Sequence, residues 1–145
     1  MICSGFFSLG VNVSSEVIKS LRGGFHTFES AIVSLLEAEA ILLGEAKPPN
    51  EIGVYTLYFE DTLMYVGEAK GKKGLHDRLI SKHISGDDSH TLHKAFLARF
   101  PDKNKRKALI KSNIYAKWIV MDCPETVSAF ERLLIWSLRP AWNKK

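Results

Sequence analysis

Apolar and polar positions divide this chain into two periodic regimes. Over residues 14–43 the apolar residues recur at helical spacing. Phe25, Phe28, Ile32, Leu35, Leu36 and Leu42 form a broad stripe, and Gly23-Gly24 predicts a break within it. Lys47-Pro48-Pro49-Asn50 then reads as an extended connector, because two prolines cannot continue a helix. Beyond it the period becomes two. Residues 52–59 (IGVYTLYF) are rich in β-branched and aromatic residues and predict a strand. Glu60-Asp61-Thr62 predicts a short turn, and residues 63–66 (LMYV) the returning strand of a hairpin.

A glycine- and lysine-rich loop over residues 67–74 follows, then helices over 75–85, ended by Gly86, and over 89–100. Residues 102–111 read as a basic connector, residues 114–121 (IYAKWIVM) as a third strand, and Pro124–Leu138 as a final helix. Pro124 suits a first helical position and Pro140 stops the run. The order β-β-α-α-β-α implies an α+β fold, a small three-stranded, mostly antiparallel sheet flanked by helices. Residues 51–145 would form this domain and residues 1–50 an N-terminal helical extension, whose apolar stripe packs on the chain's own core or forms a homodimer contact.

The final helix contains one discordant residue. Val127, Leu134, Ile135 and Leu138 lie at i−4, i+3, i+4 and i+7 from Glu131, which puts a carboxylate within an apolar stripe. A carboxylate there is protonated, paired with a cation, or holding a metal.

Composition narrows the class. At 46% hydrophobic and 25% charged residues, the chain is that of a soluble globular domain. No stretch is long and apolar enough to span a bilayer. The apolar start lacks the basic residues of a secretory leader. Two cysteines, Cys3 and Cys123, make neither a disulfide framework nor a metal knuckle, so a reducing, intracellular and cytoplasmic setting is expected. The net charge of +4 is unevenly spread. Residues 51–145 carry 17 basic and 11 acidic side chains, against 3 and 5 in residues 1–50. The second part is therefore the one suited to a polyanion.

Gly53-Val54-Tyr55 begins the predicted hairpin and Tyr65-Val66-Gly67 ends it. Arg78 follows on the next helix, Glu131 on the last, and Arg139-Pro140-Ala141-Trp142-Asn143 closes the domain. Together, over about residues 51–145, these elements resemble the GIY-YIG nuclease superfamily, with Val in place of Ile in both tripeptides. The resemblance implies metal-dependent hydrolysis of phosphodiester bonds in DNA, with RNA left open. It makes Glu131 the ligand of Mg²⁺ or Mn²⁺, hard cations suited to oxygen donors. Arg78 becomes the phosphate clamp, since its guanidinium fork matches phosphate oxygens. Tyr55 and Tyr65 line the site and manage water and protons, and Asn143 supports it by hydrogen bonding.

The chain departs from the family pattern at two places. Four residues after the arginine many members carry His or Tyr; here Lys82 stands there and His83 follows. On an ideal helix Lys82 shares the face of Arg78 and would add a phosphate-binding charge, whereas a helix distortion would bring His83 inward as a proton carrier; Lys82 is the preferred reading. Glu68 stands where several members have Lys, and would ligate metal, pair with Arg78 or face solvent. Gly67, Lys70, Lys72 and Lys73 in the glycine-rich loop, His90, and Lys105, Arg106 and Lys107 of the basic connector are candidates for holding substrate. His93 reads as a surface residue. The competing readings are a nucleic-acid-binding module of the same fold without turnover, and a regulatory protein that binds a partner through its N-terminal helices.

Overall fold

In the computed structural model, which describes residues 11–143, the period-two stretch becomes β2 (Gly53–Phe59) and β3 (Thr62–Ala69) returns along it. Glu60 and Asp61 both take positive φ, 50° and 60°, so the strands are joined by a tight two-residue turn whose twist suits a hairpin. β3 is longer than its sequence suggests. Gly67, Glu68 and Ala69 pair with Tyr55, Val54 and Gly53, which confines the lysine-rich loop to the residues just after Ala69.

β4 (Ile114–Val120) pairs with the other edge of β2, and β1 (Ile41–Leu42) pairs with β4. The sheet is antiparallel throughout in the order β1-β4-β2-β3, with four strands rather than the expected three. The added strand comes from residues read as the end of a helix. The chain divides into two compact units, Met1–Ser34 and Leu35–Lys145, and this division lies upstream of the two-proline connector. Leu35 and Leu43 are both buried, which ties the segment before the prolines to the second unit.

Helix α1 (Val11–Glu37) passes through Gly23-Gly24 without the expected break. Each glycine lowers helix propensity by roughly 1 kcal/mol, but propagation through a helix already nucleated absorbs that cost. Val17, Ile18, Leu21 and Phe25 are exposed along it. At the C-terminal end of α1, Lys117 Nζ donates to the Leu36 carbonyl at 2.8 Å, satisfying an acceptor the helix leaves open. Cys3 and the apolar start of the chain lie outside the described residues.

Alternation along β2 sorts the core onto two sheet faces. On one face Tyr55 and Leu57 join Leu75, Leu79, Leu92, Phe96 and Ile110 in a single apolar cluster. These come from α2 (Gly74–His76), a π-helix (Asp77–Lys82), α3 (Thr91–Phe96) and α4 (Lys103–Asn113). Gly74 has a φ of +50°, and a Cβ there would collide with the backbone of Glu51, so only glycine starts this run without strain. α4 replaces the expected basic connector. Asp102 caps it by accepting from Lys105 N at 2.9 Å, and Arg106 and Ile110, four apart, are its buried side. On the other face α5 (Pro124–Leu138) packs against β2 and β3 with Val127, Phe130 and Leu134 buried. Among the described residues no helix is long and apolar enough to cross a membrane.

Candidate active site

Tyr55 and Tyr65 occupy the same sheet face. Tyr65 pairs with Leu57 across the hairpin and Tyr55 with Gly67, so the two tyrosines sit diagonally with ring centroids 6.1 Å apart. Gly67 allows this, because a Cβ at that position would overlap the Tyr55 phenol and come within 2.8 Å of the Tyr65 ring. Gly67 is therefore buried and packs against the two rings.

The third ring comes from the π-helix. His83 N donates to the Arg78 carbonyl at 3.1 Å, five residues back, the wider turn that defines a π-helix. In an α-helix the fifth residue after Arg78 would lie about 140° round the axis; the wider turn brings His83 back toward the arginine's side. His83 is fully buried and Lys82 is exposed. The distortion thus turns His83 inward, as the alternative reading had it, while Lys82 is exposed like Arg78. His83 Nε2 lies 2.7 Å from the Tyr55 hydroxyl, and its ring packs edge-on against both tyrosines and against His90 at 4.7 Å.

Electrostatics sets the protonation of this cluster. Burial, with the positive charges of His90 and Arg78 adding, holds the His83 imidazole well below its ordinary range, so it is neutral at neutral pH. Burial also raises the Tyr55 phenol well above its usual value, with Tyr65 adding and Arg78 opposing. The pair is thus a neutral phenol and a neutral imidazole, and when Nε2 is the unprotonated nitrogen the phenol O–H donates to it. In that tautomer Nδ1 of His83 carries the other proton, and it is buried without a hydrogen-bond partner among the described residues, as is His90 Nδ1. Burial raises the half-buried Tyr65 as well, and Glu131 adds to it. Arg78 is exposed at the surface of the cluster, and its charge acts on Tyr55, Tyr65, His83, His90 and Glu131 alike.

Glu131 lies on the α5 side of the sheet. It stands on the flank of the buried stripe, half-buried, and not at its centre; Leu138 on the same stripe is 52% exposed. Glu68, whose strand partner Val54 faces α5, holds a short polar chain beside it. Lys70 Nζ lies 3.1 Å from Glu68 Oε1 and donates to Ser128 Oγ at 2.7 Å, and Ser128 donates to Glu68 Oε2 at 2.8 Å. Burial, then the charge of Glu68, raises the carboxyl of Glu131. Glu131 has no hydrogen-bond or ion-pair partner among the described residues. A hard oxygen donor, disfavoured as a bare anion and open to a cleft, fits a divalent cation such as Mg²⁺. Among the described residues no group of three His, Cys, Asp or Glu could hold a metal, so water and substrate oxygens would complete such a site.

Asn143 binds the backbone of the edge strand. Val66 N donates to its Oδ1 and its Nδ2 donates to the Val66 carbonyl, both at 2.8 Å, and Trp142 N donates to the Met64 carbonyl. Trp142 and Asn143 thus cover the free edge of β3 between the tyrosine face and the Glu131 face.

The remaining candidates disperse. Lys72, Lys73 and Lys105 are exposed, Lys107 and His90 half-buried, and Lys70 is engaged by Glu68 and Ser128. Arg106 and His93 are corrections: both are fully buried. Arg106 donates through Nε to His93 Nδ1 at 3.4 Å and through Nη1 to the carbonyls of Phe100 and Pro101, and it pairs with Asp88. His93 Nε2 in turn donates to the Ile84 carbonyl at 2.8 Å, next to His83. The spacing of Arg106 four before Ile110, behind a capping Asp102, was the signal in the sequence; the surrounding lysines masked it.

Three solved structures of the GIY-YIG N-terminal endonuclease domain of UvrC from Thermotoga maritima are similar to this chain. Two are tyrosine-to-phenylalanine point mutants and one an asparagine-to-alanine point mutant, each bound to its catalytic divalent cation. The first has 23% identity and a TM-score of 0.40, the others 21% and 0.39, and each covers 81% of this chain and 98% of its own. No family model and no curated protein matches the chain.

Proposed function

We propose that this chain is a divalent-metal-dependent endonuclease that hydrolyses phosphodiester bonds in DNA. The observation that carries the reading is the 2.7 Å hydrogen bond between the Tyr55 hydroxyl and Nε2 of the neutral, buried His83, with Nε2 taken as the acceptor. It lies beside the edge strand β3, and α5, packed on the other sheet face, carries Glu131. Arg78 binds the scissile phosphate through its exposed guanidinium. A water attacks phosphorus and gives its proton to the Tyr55 oxygen as Tyr55 passes its own to His83 Nε2. The bond from phosphorus to the leaving sugar oxygen breaks, and that oxygen takes a proton from solvent. The relay spares Tyr55 from becoming a free phenolate, which burial opposes; the imidazolium it leaves on His83, which burial also opposes, is offset by the negative charge that gathers at the attacked phosphate. Tyr65, half-buried beside it, orients the water.

Glu131 would hold Mg²⁺ or Mn²⁺, and the bound ion supplies charge neutralisation at the phosphate and leaving oxygen. Exposed Lys72, Lys73 and Lys105 suit contacts to the nucleic-acid backbone. The exposed Ile18, Leu21 and Phe25 of α1 suit a homodimer contact, which would bring two such sites together.

The test is nicking of supercoiled plasmid with Mg²⁺ or Mn²⁺. Tyr55→Phe and His83→Ala should each slow cleavage by about 10²–10⁴-fold, the usual worth of a general base, and Glu131→Ala should abolish the metal-dependent cleavage itself. A folded wild type that binds DNA in a salt-sensitive way yet cuts neither plasmid, branched DNA nor RNA would refute hydrolysis and favour a binding module.

A further inference from the structure

The C-terminal end of α5 leaves an indole in water. Trp136 is 72% exposed, more than any other large hydrophobic residue described. With Glu131, Arg132, Ile135, Arg139 and Asn143 it lines an open cleft of about 740 Å³. The residue after the helix, Arg139, has a φ of +46°, a left-handed conformation that glycine adopts freely at this position and arginine adopts under strain. A non-glycine residue held there points to a use for its side chain. Both Arg132 and Arg139 are exposed.

An exposed indole that shares a cleft with two arginines is the combination that holds a nucleotide. The ring stacks on any base, since every base has a π-face, and the arginines take the flanking phosphates. We propose that this cleft is a subsite for an unpaired nucleotide, its base stacked on Trp136 and its phosphates on Arg132 and Arg139. In a continuous duplex both faces of each base are covered by neighbours, so only an unpaired nucleotide offers one to the indole. The inference rests on the proposed hydrolysis in one respect. Glu131 lines the same cleft, so the stacked nucleotide adjoins the phosphate to be cut, and the substrate class is single-stranded, flapped or branched DNA.

The experiment measures binding of the full chain in EDTA to a fluorescent single-stranded oligonucleotide and to its duplex, by anisotropy and by iodide quenching of indole emission. The expected result is tighter binding of the single strand, which shields the indole from iodide. Trp136→Ala should weaken that binding about ten- to one-hundredfold, the range of one base on one aromatic ring, whereas Trp136→Phe retains most of it. Arg139→Gly should raise the melting temperature while weakening single-strand binding several-fold, separating backbone strain from ligand contact. Equal single-strand affinity in wild type and Trp136→Ala overturns the subsite, and so does the absence of single-strand binding at low salt. A dimer that Trp136→Ala dissociates without change in affinity overturns it too, by assigning the indole to a protein contact. Cleavage is read separately with metal. A chain that binds single strands through Trp136 and cuts nothing keeps the subsite and loses hydrolysis. One that cuts plasmid with affinity indifferent to Trp136 does the reverse.

Discussion

Replacing Arg106 with methionine should destabilise the fold far more than a substitution in a lysine-rich stretch normally would. Methionine keeps most of the aliphatic stem and removes every donor. Four acceptors lose their partner: His93 Nδ1, the carbonyls of Phe100 and Pro101, and the Asp88 carboxylate. They do not count equally. His93 is fully buried and its nitrogen cannot recover water, which costs roughly 1–3 kcal/mol. Phe100 is half-buried and Pro101 exposed, so their carbonyls are partly rehydrated and together add about 1 kcal/mol. The Asp88 side chain is 58% exposed, and its loss of a partner adds little after screening. The sum is about 2–4 kcal/mol against a typical domain stability of roughly 5–15 kcal/mol. Urea denaturation followed by circular dichroism would read it as a lower midpoint at unchanged slope. Asp88→Asn should stay within about 1 kcal/mol of wild type. Arg106→Lys should recover only a fraction, because one ammonium cannot serve acceptors on both sides of the guanidinium. An Arg106→Met protein within about 0.5 kcal/mol of wild type, or an Asp88→Asn protein equally damaged, would refute the claim that the buried His93 contact dominates.

Gly67→Ala should push the Tyr55 phenol away from His83, with an overpacking cost of about 1–3 kcal/mol; loss of cleavage in protein that still melts cooperatively would report the displaced ring. Folding stability should fall as pH drops below about 6.5, because His83 and His90, both held below their ordinary range chiefly by burial, bind protons more readily unfolded than folded. His83→Phe should flatten that limb in a series of thermal melts, and an unchanged limb would count against burial of a neutral imidazole. Asn143→Asp should be worse than Asn143→Ala, since a carboxylate still accepts from Val66 N but repels the Val66 carbonyl; melting temperatures in the opposite order would contradict the two-bond pairing.

Much of the architecture was readable from periodicity, and the misreadings share physical causes. Pro124–Leu138 ends where its prolines said, and the hairpin follows its β-branched and aromatic run. The same helix reading set Glu131 at the middle of a stripe, whereas the buried centre is Val127, Phe130 and Leu134; neighbouring positions on one face differ in depth, and spacing alone does not measure it. β1 is two residues long and exists only because β4 offers an edge, a tertiary cause with no local signal. α4 was hidden because lysine positions dominate its composition, and the buried arginine looks like another surface charge. The tyrosine pair, Arg78 and Glu131 could be nominated from motif order. Which residue of Lys82 and His83 turns inward could not, because that depends on the turn size of a helix that propensity does not specify.

The π-helix has a consequence for how a motif of this type tolerates change in length. The imidazole bonded to Tyr55 sits at one angular position, and a wider turn supplies it five residues after the arginine where an ordinary turn would supply it at four. The extra residue acts as an insertion absorbed without moving the strands or the ring. Deleting one residue between Arg78 and His83, Ser81 for example, should therefore let the segment relax to an α-helix with the histidine still facing Tyr55. Spacing along such a helix is better counted in degrees of rotation than in residues, and two chains that differ by one residue there can present the same chemical group.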